Sequence, residues 1–447
     1  MQQEIYLWFA TASSIFFVRK QAFLLKNDYH YLKLSIQDCL LVEETNHRFE
    51  REGRRGSPAM TALDSRSTWA EPKTALSRNR VVEVVIVGAG AAGIGCGVVL
   101  KDLGIENFVI LERHQVGASF SRWAEEMRFI TPSFPSHGFG LLDLNAVVLN
   151  TSPALSFRQE HLSGKEYALY LETVADHFQL PVKTETDVKT IAALPQGKGF
   201  VIQTSRGELK TQFVIWAAGE FQYPNLNPFP GAQLCIHNSQ IRSWTDLEGD
   251  EFVVVGGYES GVDAASNLAA LGKKVKLIDR TSSWSNLDSD PSVSLSPYSL
   301  KRLEIAYSMG RVELIGEQHI EAVKAVKKGY VVESEYEQWL SSTPPILCTG
   351  FDSSLKQIAP LFDWTNGYAA LTQEDESTLT PGLFVVGPSV RHGELIFCFI
   401  YKFRQRFAVV GNAIAQRLGI DPTTLEAYRR EGLFLDDLSC CNNDCVC

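Results

Sequence analysis

The stretch EVVIVGAGAAGIGCGVVLKDLGIENFVILER, Glu83 to Arg113, decides the fold. It opens inside an apolar, β-branched run that begins at Val81 and has no helical period, the pattern of a parallel strand buried on both faces. Gly88, Gly90 and Gly93 follow as G-x-G-x-x-G. The first glycine permits a tight turn, the second lets a pyrophosphate approach the backbone, and the third lets the next helix pack closely on the strand. That helix, AAGIGCGVVLKDLG, presents its N-terminal N–H groups and dipole to the phosphates. A second strand, NFVILER, ends in Glu112, 24 residues after Gly88, where an acid accepts hydrogen bonds from ribose hydroxyls. Glu112 and the adjoining Arg113 are the expected nucleotide contacts. Glycines alone would be a weak signal; strand, helix and correctly spaced acid together make a dinucleotide turn.

A second stretch, EFVVVGGYESGVDAASNLAALGKKVKLIDR, Glu251 to Arg280, repeats the device. Gly256 and Gly261 match the outer glycines. Tyr258 replaces the middle one, with Gly257 one place earlier and Ser260 in the opening turn of the helix. The tyrosine ring is expected to lie over a cofactor. Asp279 stands at the ribose position, 23 residues after Gly256, which suits NAD. Arg280 can pair with a 2′-phosphate, which suits NADP, and Lys273, Lys274 and Lys276 add positive charge. NADPH is therefore the expected nucleotide, with NADH as the alternative. Two such units imply two dinucleotides in one α/β chain.

A chain of 447 residues is long enough for two or three domains with real cores. A formal net charge of −10 disfavours nucleic acid and anionic membrane as partners. No apolar stretch is long enough to span a bilayer. The nearest, IYLWFATASSIFFV, Ile5 to Val18, has the length of a signal-peptide core, but MQQE before it is not basic and no clean small-residue cleavage site follows. A cytoplasmic protein is expected. Residues 1–80 read as an extension or linker. Their polar, basic, Ser- and Pro-containing second half has a disordered composition, and Met60 lies inside it.

The order of these parts resembles the pyridine nucleotide–disulfide oxidoreductase superfamily, in which an FAD domain is interrupted by an NAD(P)H domain and then resumes. FVIWAAGEFQYPN, Phe213 to Asn225, matches the first crossing, and PILCTGFD, Pro345 to Asp352, with Gly350, matches the second. GLFVVGPSV, Gly382 to Val390, matches the late FAD segment, with Gly387-Pro388-Ser389 where the family usually has Gly-Asp. The N–H groups of Ser389 and Val390 are the expected substitutes for that aspartate. The resemblance implies two Rossmann-like three-layer domains: FAD residues 81–222 and 346–430, NAD(P)H residues 223–345, and a tail at 431–447. Among members, flavin-containing monooxygenases and bacillithiol-disulfide-reductase-like proteins look most similar. GASFSRW, with Ser119 and Trp123, and MRFITPSFPSHGFG resemble their flavin-lining segments. The monooxygenase fingerprint F-x-G-x-x-x-H is matched only loosely by Phe229, Gly231 and His237, with two extra residues before the histidine.

Nine cysteines are present, and none pairs as C-x-x-C beside either turn. Cys96, Cys348 and Cys398 sit in apolar runs and read as buried small hydrophobes. DDLSCCNNDCVC differs: Cys440, Cys441, Cys445 and Cys447 crowd a polar tail. They read first as a relay from reduced flavin to an outside disulfide, which the superfamily resemblance supports. A soft-metal site is second, and a tail without a role third. Residues 395–418 read as one closing helix, with Lys402, Arg404 and Arg406 facing substrate, partner or solvent. His392 is the histidine to test as a proton donor. The expected reaction passes hydride from NADPH to FAD and on to a small-molecule or protein-disulfide acceptor. Alternatives are a monooxygenase working through a flavin C4a-hydroperoxide and a non-catalytic redox sensor, and a homodimer is the assembly to test.

Overall fold

The computed structural model describes residues 2–11, 14–23, 81–134, 142–288 and 290–439. Of the first two stretches only the backbone is described: Gln2–Thr11 and Ser14–Phe23 pair in a sheet of their own. Cys39, the flavin-side loop from 135 to 141 and Cys440, Cys441, Cys445 and Cys447 lie outside the described residues. No helix among the described residues is long and apolar enough to cross a membrane.

Strand β1 (Val81–Val87) lies at the centre of a seven-stranded sheet, and Val84, Val85 and Ile86 have no solvent exposure. Its β-branched side chains fill both faces, as a strand sandwiched between layers requires. Helix α1 (Ala91–Asp102) and strand β2 (Phe108–Leu111) follow, with β2 parallel to β1 in the register Val84 to Phe108. On the other side of β1 runs Gly207–Trp216, also parallel. The chain leaves the sheet at Trp216 and returns 167 residues later, when Leu383–Val385 pairs parallel with Val214–Trp216. That return makes the first domain discontinuous.

The inserted unit is built around strand β3 (Glu251–Val255), helix α2 (Glu259–Ala270) and strand β4 (Lys274–Ile278). Its five parallel strands run in the order Val312–Ile315, β4, β3, Ile346–Leu347, Ile236–His237. The expected domain boundary at residue 345 falls one residue before the fourth of these. Helix α2 and helix α3 (Pro297–Ser308) cover one face, joined by Arg302 on Asp263 at 2.7 Å. An antiparallel meander, residues 320–341, covers the other through Val323, Val332 and Trp339. Two three-layer α/β units result, as the sequence implied.

The closing helix departs from expectation. Arg391–His392 and Leu395–Ile396 form a hairpin, and helical chain begins only at Ile400: one turn, Ile400–Phe403, continues through a 3-10 turn, Arg404–Arg406, into helix α4, Phe407–Leu418. The aromatic and β-branched start of the run suits a strand better than a helix. Arg404 and Arg406 are buried rather than facing solvent, Arg406 completely. Arg406 places Nε and Nη2 each 2.9 Å from the two oxygens of Asp375, which is equally buried. The bidentate match explains how a guanidinium survives there. Removing the carboxylate charge with Asp375→Asn leaves Arg406 uncompensated, at an expected cost of about 3–5 kcal/mol. A lower urea midpoint with unchanged slope is the measurement that checks it.

Candidate cofactor sites

Gly88 has φ +105, and a Cβ on it would meet the Ala217 carbonyl at 2.5 Å. A Cβ on Gly93 would lie 1.9 Å from the Gly88 carbonyl oxygen, so helix and turn touch only because this residue has no side chain. Gly90 differs: nothing lies within 4 Å of where its Cβ would be. It caps α1 with no side-chain hydrogen bond, and the first turn carries no acid. The N–H groups at this helix start therefore face open space with positive potential, which fits a pyrophosphate. Glu112, 5% exposed, accepts from the Ala89 N–H at 2.8 Å and the His114 N–H at 2.8 Å. A carboxylate offers about four lone-pair positions, so capacity remains for a ribose diol. Arg113 beside it is held by Asp187 (2.8 Å) and Gln222 (3.1 Å) and forms the wall of a cleft shared with Gly88, Glu112 and Trp216. Burial alone would raise the Asp187 carboxyl; bonds from Lys189 and Arg113 outweigh it and hold the pKa below the usual range. These features fit the adenosine and phosphate end of FAD.

Farther along, the Gly117 N–H bonds the Ala89 carbonyl at 3.0 Å, tying the Ala118–Ser121 helix, with Ser119 in it, against the turn. Trp123 joins an aromatic cluster with Phe120 and Phe129, ring centroids 5.4 and 4.9 Å away. Gly350 has open space above it, and its carbonyl accepts from the Asn225 N–H at 3.0 Å. At the late segment Gly387 has φ +96 and accepts the Val390 N–H at 3.2 Å. Val390's donor is thus spent inside the turn, which corrects its expected role in replacing an aspartate. Ser389 instead lies 2.8 Å from Ser353 Oγ and donates to Glu220 at 3.3 Å. Sequence reading missed Glu220, although it lies within the first crossing, directly after Gly219. Burial raises its carboxyl pKa, only partly offset by the Ser389 bond.

The second turn repeats the first. Gly256 has φ +103, and a Cβ on Gly261 would lie 1.7 Å from the Gly256 carbonyl oxygen. Asp279 accepts the Gly257 N–H at 2.9 Å, as Glu112 accepts that of Ala89. Tyr258 has φ −90 and ψ −163, Gly90 φ −83 and ψ −166. The substitution therefore strains no backbone. Tyr258 donates its hydroxyl toward the carbonyls of Pro291 (3.1 Å) and Ser294 (2.9 Å), so its ring walls the turn on the side of the following loop. Burial, and then the charge of Glu259, raise its pKa. Glu259, in the first turn of α2, accepts from the Ser296 N–H at 2.6 Å and from Ser299, next to half-buried Ser260. Lys273, Lys274 and Lys276 are paired with Asp250, Glu251 and Glu313 around the far end of β4, not gathered near Asp279.

His392 Nε2 sits 2.6 Å from Asp375, whose carboxylate also holds Arg406. His237 is 1% exposed, with Nε2 3.2 Å from the Gly350 carbonyl and Nδ1 accepting the Ser239 N–H. Burial lowers its pKa, the Gly350 bond opposing. A Cβ on Gly231 would lie 1.8 Å from the Val323 carbonyl, and Phe229 packs on the meander core. All three residues of the loose fingerprint thus hold structure. Cys96 and Cys348 are buried as expected. Cys398 is not: it is exposed, with Sγ 3.3 Å from Ser292 Oγ, because the run containing it is a hairpin and turn rather than a buried helix. Surrounding protein still raises its thiol pKa.

Residues 85–387 match the family described as pyridine nucleotide-disulphide oxidoreductase. A protein named "Uncharacterized oxidoreductase CzcO", from Bacillus velezensis, is 29% identical over 194 residues, 42% of this chain and 52% of the relative. The chain spans about half the length of the first curated relatives it matches. Bacillithiol disulfide reductase Bdr (YpdA) from Staphylococcus aureus superposes with TM-score 0.61 at 17% identity, covering 76% of this chain and 99% of that one. A flavin-containing monooxygenase from Stenotrophomonas maltophilia gives 0.59 at 14%, covering 76% and 99%. At these identities the two structures speak for the fold alone.

Proposed function

The chain belongs to the pyridine nucleotide-disulphide oxidoreductase family, and from that premise we propose that it moves reducing equivalents from NADPH through FAD to a disulfide, with the tail cysteines as relay. One observation carries the reading. Two glycine turns close in the same way on the same chain, each with its second-strand acid bonded to the turn's own N–H. Bound FAD supplies the two-electron relay between nicotinamide and acceptor. The chain supplies the rest. Gly90 and the start of α1 receive the pyrophosphate, Glu112 accepts from the ribose, and the helix start of the second unit receives NADPH. NADPH and one proton reduce one disulfide to two thiols, so the electrons balance without oxygen.

A disulfide acceptor is favoured over oxygenation because Phe229, Gly231 and His237 are committed to packing and backbone bonds. Anaerobic stopped-flow mixing tests the reading. NADPH is expected to bleach the flavin within seconds, and a disulfide to restore the colour. Failure of both nucleotides to bleach it overturns the oxidoreductase reading in favour of a sensor. Reoxidation only by oxygen, with a substrate oxygenated one for one, overturns the disulfide reading in favour of a monooxygenase.

A further inference from the structure

We propose that Glu220 reads the sugar-alcohol chain of FAD, its carboxylate accepting from a ribityl hydroxyl on the side of the helix start opposite to Glu112. The proposal rests on the reading that FAD lies across the first unit, and deepens it by assigning a contact to the part of the cofactor between pyrophosphate and ring.

Ligands of open parallel sheets lie across the carboxyl ends of the strands. Strand β1 ends at the first glycine turn, flanked by β2 on one side and Gly207–Trp216 on the other. Strand β2 delivers Glu112 to one side of the helix start. The strand on the other side runs on through Ala217–Gly219 to Glu220. Leu383–Val385, paired with the end of that strand, delivers Gly387–Ser389 beside it. This late turn borders the helix start, since a Cβ on Gly387 would lie 3.3 Å from Ala92 Cβ. A Cβ on Gly219 would meet nothing within 4 Å, as at Gly90, so both backbones face open space. Across Gly88–Gly90, Ala217–Glu220 and Gly387–Val390, Glu220 is the one titratable side chain. FAD carries hydroxyls on both sides of its pyrophosphate, on the ribose and on the ribityl chain. A carboxylate accepts from a hydroxyl and repels a phosphate. With the pyrophosphate on the helix start and the ribose on Glu112, the acid on the opposite side meets the ribityl chain.

The hydrogen bonds around Glu220 make it an acceptor. The Leu355 N–H donates to Ser353 Oγ at 3.2 Å, Ser353 Oγ lies 2.8 Å from Ser389 Oγ, and Ser389 donates to Glu220 Oε1 at 3.3 Å. Each serine has one hydroxyl proton. Ser389 spends its proton on Glu220, so Ser353 is the donor to Ser389. All three donors thus point toward the carboxylate, a direction in which each bond polarises the next. The chain of bonds stops at Oε1. No other side-chain hydrogen bond reaches Glu220 among the described residues, which leaves the lone pairs of Oε2 for a ligand. Glu220 is half-buried, and burial raises its carboxyl pKa against the opposing Ser389 bond. It is a carboxyl short of donors, and a hydroxyl supplies one without adding charge. Ser353 follows the second crossing and Ser389 belongs to the late turn, so three separate segments fix the acid before any cofactor arrives.

The test strips flavin from the full chain and titrates it calorimetrically with FAD, with the 2′-, 3′- and 4′-deoxyribityl analogues of FAD, and with ADP, which has no ribityl chain. No electron transfer is needed. The parent is expected to bind one of the three analogues about 10–100-fold more weakly than FAD, the worth of one hydrogen bond to a charged group. Glu220→Ala is expected to lose the same factor for FAD, to bind ADP as the parent does, and to treat that analogue and FAD alike, which closes a cycle between residue and hydroxyl. Ser389→Ala keeps the carboxylate but removes the donor that orients it. It is expected to weaken FAD several-fold with ADP unchanged, so misfolding of Glu220→Ala does not decide the matter. A parent that binds FAD and all three analogues equally, or a Glu220→Ala variant that still discriminates in full, overturns the proposal and leaves the FAD reading standing. Equal losses of FAD and ADP in both variants give Glu220 a structural role and overturn it as well. A parent that binds neither FAD nor ADP overturns the FAD reading and this proposal with it.

Discussion

Gly93→Ala is expected to purify colourless. The new methyl would sit 1.9 Å from the Gly88 carbonyl oxygen and 3.0 Å from its carbon. Non-bonded heavy atoms want about 3.5 Å, so α1 must move off β1 or the turn must open. Either movement carries the helix-start N–H groups away from the pyrophosphate. A core forced apart in this way costs about 1–3 kcal/mol in stability. Loss of aligned charge-assisted bonds to the pyrophosphate should weaken FAD by roughly 10²-fold or more. The flavin-to-protein absorbance ratio after gel filtration reads the loss. Two companions make the result specific. Gly90→Ala projects its methyl into open space, so the apoprotein should keep its thermal midpoint while flavin binding weakens. Gly261→Ala crowds the Gly256 carbonyl at 1.7 Å in the other unit, and should give yellow protein that NADPH no longer bleaches. Full flavin occupancy in Gly93→Ala would sink the assignment of the first turn.

The turns were legible because their physics is local. A β-branched run, glycines at fixed spacing and an acid at the end of the next strand are all consequences of one βαβ unit, and they lie within 31 residues of sequence. What could not be read depends on partners far away in the chain. Arg406 looked like a solvated charge because Asp375, which buries it, is 31 residues back and belongs to no motif. Glu220 stood in plain view within the crossing, but its meaning needs Ser389, 169 residues on. Tyr258 was visible as a departure from pattern, and only the loop carbonyls of Pro291 and Ser294 show where the ring goes. Cys398 was misread for the reason its segment was: an apolar, aromatic run of that length does not announce whether it is helix or hairpin. The same holds for Asp279. Its spacing was legible, whereas the bonds its Oδ2 accepts from Thr281 and Ser283 are a matter of turn geometry.

Truncation after Ser439 is expected to abolish disulfide reduction while leaving flavin bleaching by NADPH intact. The chain is anchored up to the edge of the cysteines. Arg429 grips Asp436 through two bonds of 2.9 and 2.8 Å, the Leu435 N–H donates to the Gln405 carbonyl at 3.0 Å, and Leu438 packs on the first core. Arg406, paired with Asp375, also bonds the Leu435 carbonyl, so the described chain is tied down five residues before Cys440 in sequence. Cys447, eight residues beyond Ser439, can reach at most about 28 Å at full extension. A relay needs a first pair that takes electrons and a second that delivers them, and four cysteines in the last eight residues of the sequence can supply both. Tethering makes the exchange between pairs intramolecular, so losing it should cost roughly 10²-fold or more in turnover with a disulfide. Cys440→Ser with Cys441→Ser, and Cys445→Ser with Cys447→Ser, should each be as damaging as the truncation, because a relay fails at either link. Attack requires thiolate, and neighbouring acids raise thiol pKa values, so the disulfide-dependent rate should climb through pH values near 8.5 while flavin bleaching does not follow it. A soft-metal tail predicts a different pattern: bound zinc or copper(I) lost with the cysteines, and no change in disulfide turnover. If the truncated protein reduces disulfides as fast as its parent, electrons leave the flavin by a route that does not use these four thiols.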